Sequence, residues 1–536
     1  MGNRVRLKRG VAHGLAFAAV TIILRLAYAG LPFDAHDEGY YAVVARETVR
    51  GSRLYADLWY LRPPLLNTVY AWCYRFSLSS GIPYDVSVRL LSGLFAAATV
   101  GVVAGVLFSK FSTRAALLGS TFAALAGASL TLQNEANAET WMMLPATLSA
   151  LLVLHVALDK PSSRRSAWLM VLAGILTGLA AAFKQVALVN LALPTVAWLV
   201  CDRARVRRWV VLSAAFVSGT LCVWVGLLVR LAMIDDLRAF LYFAWFRGAM
   251  YVRHSRAEFE PLRLLLGNLT GLGFAFTITA ALALALFGGV LARPGAPTRA
   301  RKTALFAFGW LALSIVGVSA SGRFYLHYFI QATLPLALLL SASADEFVAT
   351  DEGRQVSSAT VAAILIVGLL PPVISQVIDV RTIGSKTAKR GVYKDLGARL
   401  PQDTAPGSSL LVWGTCASVK AYCTLPSATR LPVVYDDYGW SPQSSGRLLG
   451  EEFPGTGEVV LADMRRSEPD TLVLTAPLRS RSPSGSSSGR GPIDGGGLEA
   501  TLSATVARRY KVVERGRGYT VLRRKRPPLP ETGADR

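Results

Sequence analysis

The chain has 536 residues, is 52% hydrophobic and has a mean hydropathy of +0.40. Its apolar residues gather in blocks of about 17–25, the length that crosses a bilayer core, and Leu269–Ala292 and Thr303–Ser321 carry almost no charge; a soluble protein is excluded. The net charge of +23 lies in short basic runs between these blocks, the positive-inside pattern of a membrane protein. No basic helix or aromatic array marks a nucleic-acid domain.

Taken in chain order, a cytoplasmic stretch from Arg4 to Arg9 precedes the first span, Val11–Leu31. A polar, aromatic-rich stretch, Pro32–Tyr60, follows. Pro63–Ser80 carries Asn67 and Arg75 and reads as an interfacial or re-entrant helix. The spans then alternate: Val86–Phe108, Ala115–Leu132, Trp141–Leu158, Trp168–Phe183, Val186–Val200, Trp209–Ala232, Leu264–Ala292, Thr303–Ser319, His327–Ser343 and Ser357–Ile378. Met233–Leu262 is a long outer loop between two of them. The fold class expected is therefore an α-helical polytopic membrane protein with about eleven spans. Sidedness follows from the basic loops: a cytoplasmic N-terminus, and everything beyond Asp379 outside the cell membrane.

Residues 1–379 thus form the membrane domain and 380–536 a small extracytoplasmic α/β domain. In the latter, Ser409–Trp413, Leu431–Tyr435, Thr471–Thr475 and Tyr519–Leu522 read as strands. Val392–Leu400 and Gly457–Arg466 read as helices, and Ser480–Gly497 as a flexible Ser/Gly loop. None of the five cysteines lies in a zinc-binding spacing. Cys416 and Cys423 share the tail and are either a disulfide or two free thiols.

Ionisable groups at membrane boundaries are costly and mark function by default. The first cluster, FDAHDEGYY, holds Asp34, His36, Asp37 and Glu38 directly after the first span. The competing reading is a loop cap, with Asp37 as N-cap of a helix running to Val49. In WYLRPPLL the proline pair fixes a helix start and Arg62 stands just before it, an arrangement suited to an anion. NEANAE places two carboxylates, Glu135 and Glu139, between two spans. Lys184 lies between apolar runs, and GRFYLHY carries Arg323 and His327. Acids and cations from five loops, placed on one face by this topology, suggest a site for an anionic group and a proton.

These residues resemble a known pattern. Phe33–Leu66, FDAHDEGYYAVVARETVRGSRLYADLWYLRPPLL, is similar to the opening loop of the bacterial GT-C glycosyltransferases, specifically the protein mannosyltransferase and lipid A aminoarabinose transferase superfamily. The likeness continues through Arg89-Leu90-Leu91-Ser92, Glu139, Phe183-Lys184, GRFYLHYFIQATLP and the LLVWG of the tail. It implies transfer of a sugar from a polyprenyl-phosphate donor to an acceptor hydroxyl on an envelope lipid, glycan or protein, outside the cytoplasm.

By the resemblance, Asp37 matches the family's base and Glu139 the second-loop acid, while Lys184 and Arg323 match basic positions near the donor phosphate. Arg62 stands where the family has a lysine, so charge survives while geometry differs. The chemistry points the same way. A hydroxyl nucleophile needs a carboxylate base, here Asp37, with Glu139 or Glu38 orienting the acceptor. The anionic leaving group needs preorganised cations: Arg62, Lys184, Arg323 and His327. Tyr40, Tyr41 and Tyr328 are assigned to substrate binding. Direct displacement predicts inversion. No cofactor is required on this reading; paired carboxylates can hold a divalent metal, but no separate ligand set demands one. The alternative is a transporter or flippase of a lipid-linked or anionic substrate, which would usually place its charges near the midplane and within repeats.

Overall fold

A computed structural model describes residues 3–34, 36–132, 135–247, 249, 273–293, 298–320, 324–348, 358–405, 407–414, 416–430, 446–448, 451–453, 456–475 and 503–525. The strand expected at Leu431–Tyr435 and the loop Ser480–Gly497 lie outside them, as do Arg323 and residues 248 and 250–262 of the expected outer loop. The chain forms two compact units. One comprises Met1–Leu31, Arg62–Leu237 and Gly248–Lys386; the other comprises Pro32–Leu61, Arg238–Arg247 and Thr387–Arg536.

The first unit is a helical bundle. Its helices are α1 (Asn3–Leu26), α3 (Pro64–Ser80), α4 (Tyr84–Lys110), α5 (Thr113–Gly127), α6 (Ala138–Asp159), α7 (Ser163–Phe183), α8 (Leu193–Cys201), α9 (Val206–Met233), α10 (Gly273–Leu291), α11 (Arg299–Ser319), α12 (Ile330–Val348) and α13 (Ser358–Arg399). Residues of α13 from Thr387 onward count to the second unit. Each expected span has a helical counterpart. Among the described residues, eight helices are long and apolar enough to cross a membrane, and two further apolar helices are shorter. The chain is a multi-pass membrane protein. Leu15, Ile23, Val210, Val225, Leu370 and Ile374 are large, apolar and exposed on these helices, as side chains facing acyl chains are. In contrast, the span Leu326–Phe347 has 94% of its most apolar stretch buried, so it is the hub of the bundle.

Small residues set how closely these helices approach, as is usual where water supplies no driving force between them. A Cβ on Gly174 of α7 would stand 1.8 Å from the Phe216 carbonyl oxygen of α9, and one on Gly219 of α9 would stand 2.1 Å from that of Val171. Gly10 and Gly14 of α1 meet Gly105 and Gly101 of α4 in the same way.

The second unit contains α2 (Asp37–Val49) and a four-stranded sheet. The sheet order is β1 (Leu410–Trp413), β4 (Thr471–Leu474), β6 (Tyr519–Arg524), β5 (Tyr510–Gly516), with β1 and β4 parallel and the other neighbours antiparallel. A separate hairpin pairs β2 (Gly446–Leu448) with β3 (Glu451–Phe453). The unit also holds two helices, α14 (Ala417–Tyr422) and α15 (Thr456–Ser467). Leu396, Leu400, Leu410, Val412, Val419, Val473 and Val521 form its core. Cys416 and Cys423 are both buried and are free thiols. The helix expected at Val392–Leu400 is the end of α13, which runs unbroken because no proline follows Pro372 within it.

Candidate functional site

In the first unit the sequence candidates gather where helices break. Helix α7 ends at Phe183, and Lys184 takes an extended conformation, φ −152° and ψ 125°, before a 3-10 helix over Gln185–Ala192. Non-helical backbone at membrane depth survives only where protein or a polar cavity surrounds it. The break turns the lysine inward: Lys184 is 7% exposed and its Nζ donates to Glu139 Oε1. Glu139 lies in the first turn of α6, where the helix dipole favours an acid, and is 2% exposed.

A second break supplies the aromatic wall. Phe324 holds a left-handed φ of 49°, unusual for an aromatic residue. A 3-10 turn, Leu326–Phe329, then leads into α12. The Lys184 ammonium lies 4.1 Å from the centre of the Tyr328 ring, a cation–π contact. His327 packs edge-on against Tyr328 at 4.7 Å and parallel to Tyr325 at 5.7 Å. Arg62 immediately precedes Pro63, the N-cap of α3, and Pro64 is its first residue, as the proline pair predicts. The fields of Lys184, His327 and Arg62 all reach Glu139. The structure therefore brings Glu139, Lys184, His327, Tyr328 and Arg62 into one electrostatic neighbourhood.

In the second unit the first-loop acids divide their labour. His36, rather than Asp37, occupies the N-cap position of α2, and its side chain makes no cap bond. The capping is done by Asp34, whose Oδ1 accepts from the amides of His36 and Glu38 at 2.9 and 3.0 Å. Glu38 is fully buried; its Oε2 accepts from the Asp34 amide and lies 3.9 Å from Arg390 Nη1. Asp37 opens the helix and is half-exposed. Tyr40 donates to the Trp59 carbonyl at 2.8 Å and stacks on Tyr60. Tyr41 is buried, edge-on to Tyr40.

Sequence reasoning missed what holds this loop. Arg46 donates to the carbonyls of Lys420 and Cys423 and pairs with Glu47. Tyr422 accepts at its hydroxyl from the Phe33 amide. A Cβ on Gly39 would stand 2.6 Å from the Ser418 amide nitrogen, so only glycine allows α2 this approach to the start of α14. The signal was present in the acid-acid-glycine run, whose glycine sits inside a helix at a cost of about 1 kcal/mol.

No family model and no curated protein sequence matches the chain. Solved structures do. ArnT from Cupriavidus metallidurans, bound to undecaprenyl phosphate, is similar with a TM-score of 0.60 at 15% identity, covering 95% of this chain and 97% of that one. The oligosaccharyltransferase AglB from Archaeoglobus fulgidus, in complex with an inhibitory peptide and a dolichol-phosphate, is similar with a TM-score of 0.53 at 10% identity, covering 87% and 69%. The apo form of the Archaeoglobus fulgidus enzyme gives 0.51 at 11%, over 87% and 69%. The fold is that of the GT-C glycosyltransferases.

Proposed function

We propose that the chain is a membrane glycosyltransferase that moves a sugar from a polyprenyl-phosphate carrier to an acceptor hydroxyl, outside the cytoplasm and with inversion. The observation that carries this reading is the buried Lys184–Glu139 pair beside Tyr328 and His327, at breaks in membrane helices. Buried ions cost several kcal/mol each, and a membrane protein that needed only to fold would bury apolar groups there. The undecaprenyl phosphate of ArnT and the dolichol-phosphate of AglB are the ligand chemistry that such cations suit.

In this reaction the bond from the anomeric carbon to the phosphate oxygen breaks. The acceptor oxygen forms the new bond from the opposite face. Its proton passes to Asp37, the half-exposed acid of the first loop. Negative charge grows on the departing polyprenyl phosphate and is met by Arg62, Lys184, Arg323 and His327. Glu139, paired with Lys184, or Glu38 orients the acceptor. Tyr40, Tyr41 and Tyr328 contribute aromatic surface for the substrates. The acceptor class is an envelope lipid, glycan or protein hydroxyl. Since protein cations supply the charge, we assign the reaction no cofactor, and chelation with EDTA is expected to leave the rate unchanged.

Asp37→Asn is the test. The variant is expected to fold and to bind polyprenyl phosphate while losing transfer from a polyprenyl-phosphate sugar; activity retained at the wild-type rate would remove Asp37 as the base.

A further inference from the structure

The segment joining α5 to α6 delivers Glu139, and four charged side chains close on it from within the first unit. They are Arg25 at the end of α1, Arg89 of α4, Glu135 of the segment itself and Asp379 of α13, none more than 4% exposed. Arg25 donates to the Gly127 carbonyl at 2.8 Å, to Ser92 Oγ at 3.1 Å and to the Glu135 carbonyl. Arg89 pairs with the Glu135 carboxylate at 3.2 Å. Ser92 Oγ donates to the Glu135 carbonyl at 2.8 Å. From the other side, Asp379 accepts from the Leu130 and Thr131 amides at 2.8 and 3.0 Å and from the hydroxyls of Thr131 and Ser129 at 2.8 and 3.3 Å.

The neighbours tighten this hold. Leu130 is buried with Tyr28 and Leu31. Tyr70 and Trp141 both donate to the Ala136 carbonyl, at 2.9 and 3.0 Å. Ala136 stands three residues before Glu139.

A connection between two helices ordinarily leaves its backbone groups to water and needs no buried ions. Here two arginines and two acids, summing to zero charge, are sunk around one short segment, and their bonds reach its backbone at Leu130, Thr131 and Glu135 and its side chains at Ser129 and Thr131. Burying ions is a poor route to stability, since apolar replacements are often as stable or better. It is a good route to a single backbone geometry, because each charged partner leaves a large penalty if the segment shifts.

We propose that Arg25, Arg89, Glu135 and Asp379 are positioning residues that fix the entry of α6, so that Glu139 meets Lys184 in one geometry. This rests on the transferase reading above. The side chains themselves touch neither substrate nor reacting atoms; they act through Glu139.

Asp379→Asn keeps one acceptor oxygen and is the mild test; Arg89→Lys and Arg89→Ala form a graded pair. In transfer from a polyprenyl-phosphate sugar, Asp379→Asn is expected to lower kcat by about 10- to 100-fold, the range that small misplacements cost, with donor KM within about twofold. Arg89→Lys should retain more activity than Arg89→Ala. A fall in Tm with kcat per folded molecule unchanged would overturn the proposal. An independent reading uses fluorotryptophan: Trp141 lies two residues from Glu139, and its 19F resonance, assigned through Trp141→Phe, is expected to shift in Asp379→Asn. An unmoved resonance would overturn the positioning role even where the transfer assay is silent. A wild-type chain that transfers no sugar, with the resonance shifted, would count against the proposed function alone.

Discussion

Lys184 and Glu139 are both buried and paired with each other. Removing one partner of such a pair leaves the other stranded, at a cost of about 3–5 kcal/mol. Lys184→Met is therefore expected to lower Tm sharply. Combining it with Glu139→Gln removes both charges and should restore most of the stability while restoring no transfer. A double variant that transfers at the wild-type rate would make the pair structural only. Lys420 offers a titration test in the second unit. It is fully buried and its Nζ donates to Ser427. Burial pushes its ammonium down from 10.5 to about 7, although Glu47 works in the opposite direction. Below about pH 7 the residue is charged in both folded and unfolded chains, and the folded chain bears the full cost of burying that charge. Between there and its ordinary value, the unfolded chain holds more protons, so stability rises with pH. Lys420→Met should thus raise Tm more at about pH 6.5 than at about pH 9.5; equal gains at both would contradict this. Lys184, Glu139 and the first-loop acids were legible in the sequence because charge beside apolar runs stands out. The partition between Asp34, Asp37 and Glu38 was not legible, because which acid caps a helix depends on a turn geometry that spacing alone does not fix.

At the level of helices, length and apolarity located the spans well, since a bilayer sets both. The proline pair at Pro63 and Pro64 marked the start of α3, and α2 ends at Val49 as expected. Packing partners were not legible. Gly174 and Gly219 are simply small residues in the sequence, yet each accepts the other helix's backbone. Gly174→Ala must force α7 and α9 apart and is expected to cost about 1–3 kcal/mol, seen as a lower Tm in detergent. Gly226→Ala, on the same α9 but with open space at its Cβ, should not lower Tm. Strand β5 was overlooked because its apolar residues Val512 and Val513 are exposed and only Tyr510 is buried deeply, so the alternation that betrays a strand is weak. The helical run beyond Ile378 was read as two pieces, although Gly384 and Gly391 are tolerated inside a single long helix.

For the whole molecule, the fold joins membrane helices to a small α/β unit whose compact body includes the first loop as well as the C-terminal residues. That grouping explains why the tail matters to the proposed chemistry: the element bearing Asp37 is packed against α14 through Gly39 and Arg46. The account's central claim is that a lipid-phosphate sugar is consumed by this chain. Purified protein incubated with a radiolabelled polyprenyl-phosphate sugar and an envelope extract is predicted to yield free polyprenyl phosphate and a labelled glycosylated product, both lost in Asp37→Asn. Label that stays on the lipid while the lipid crosses from one leaflet of a vesicle to the other would contradict the account and identify a transporter.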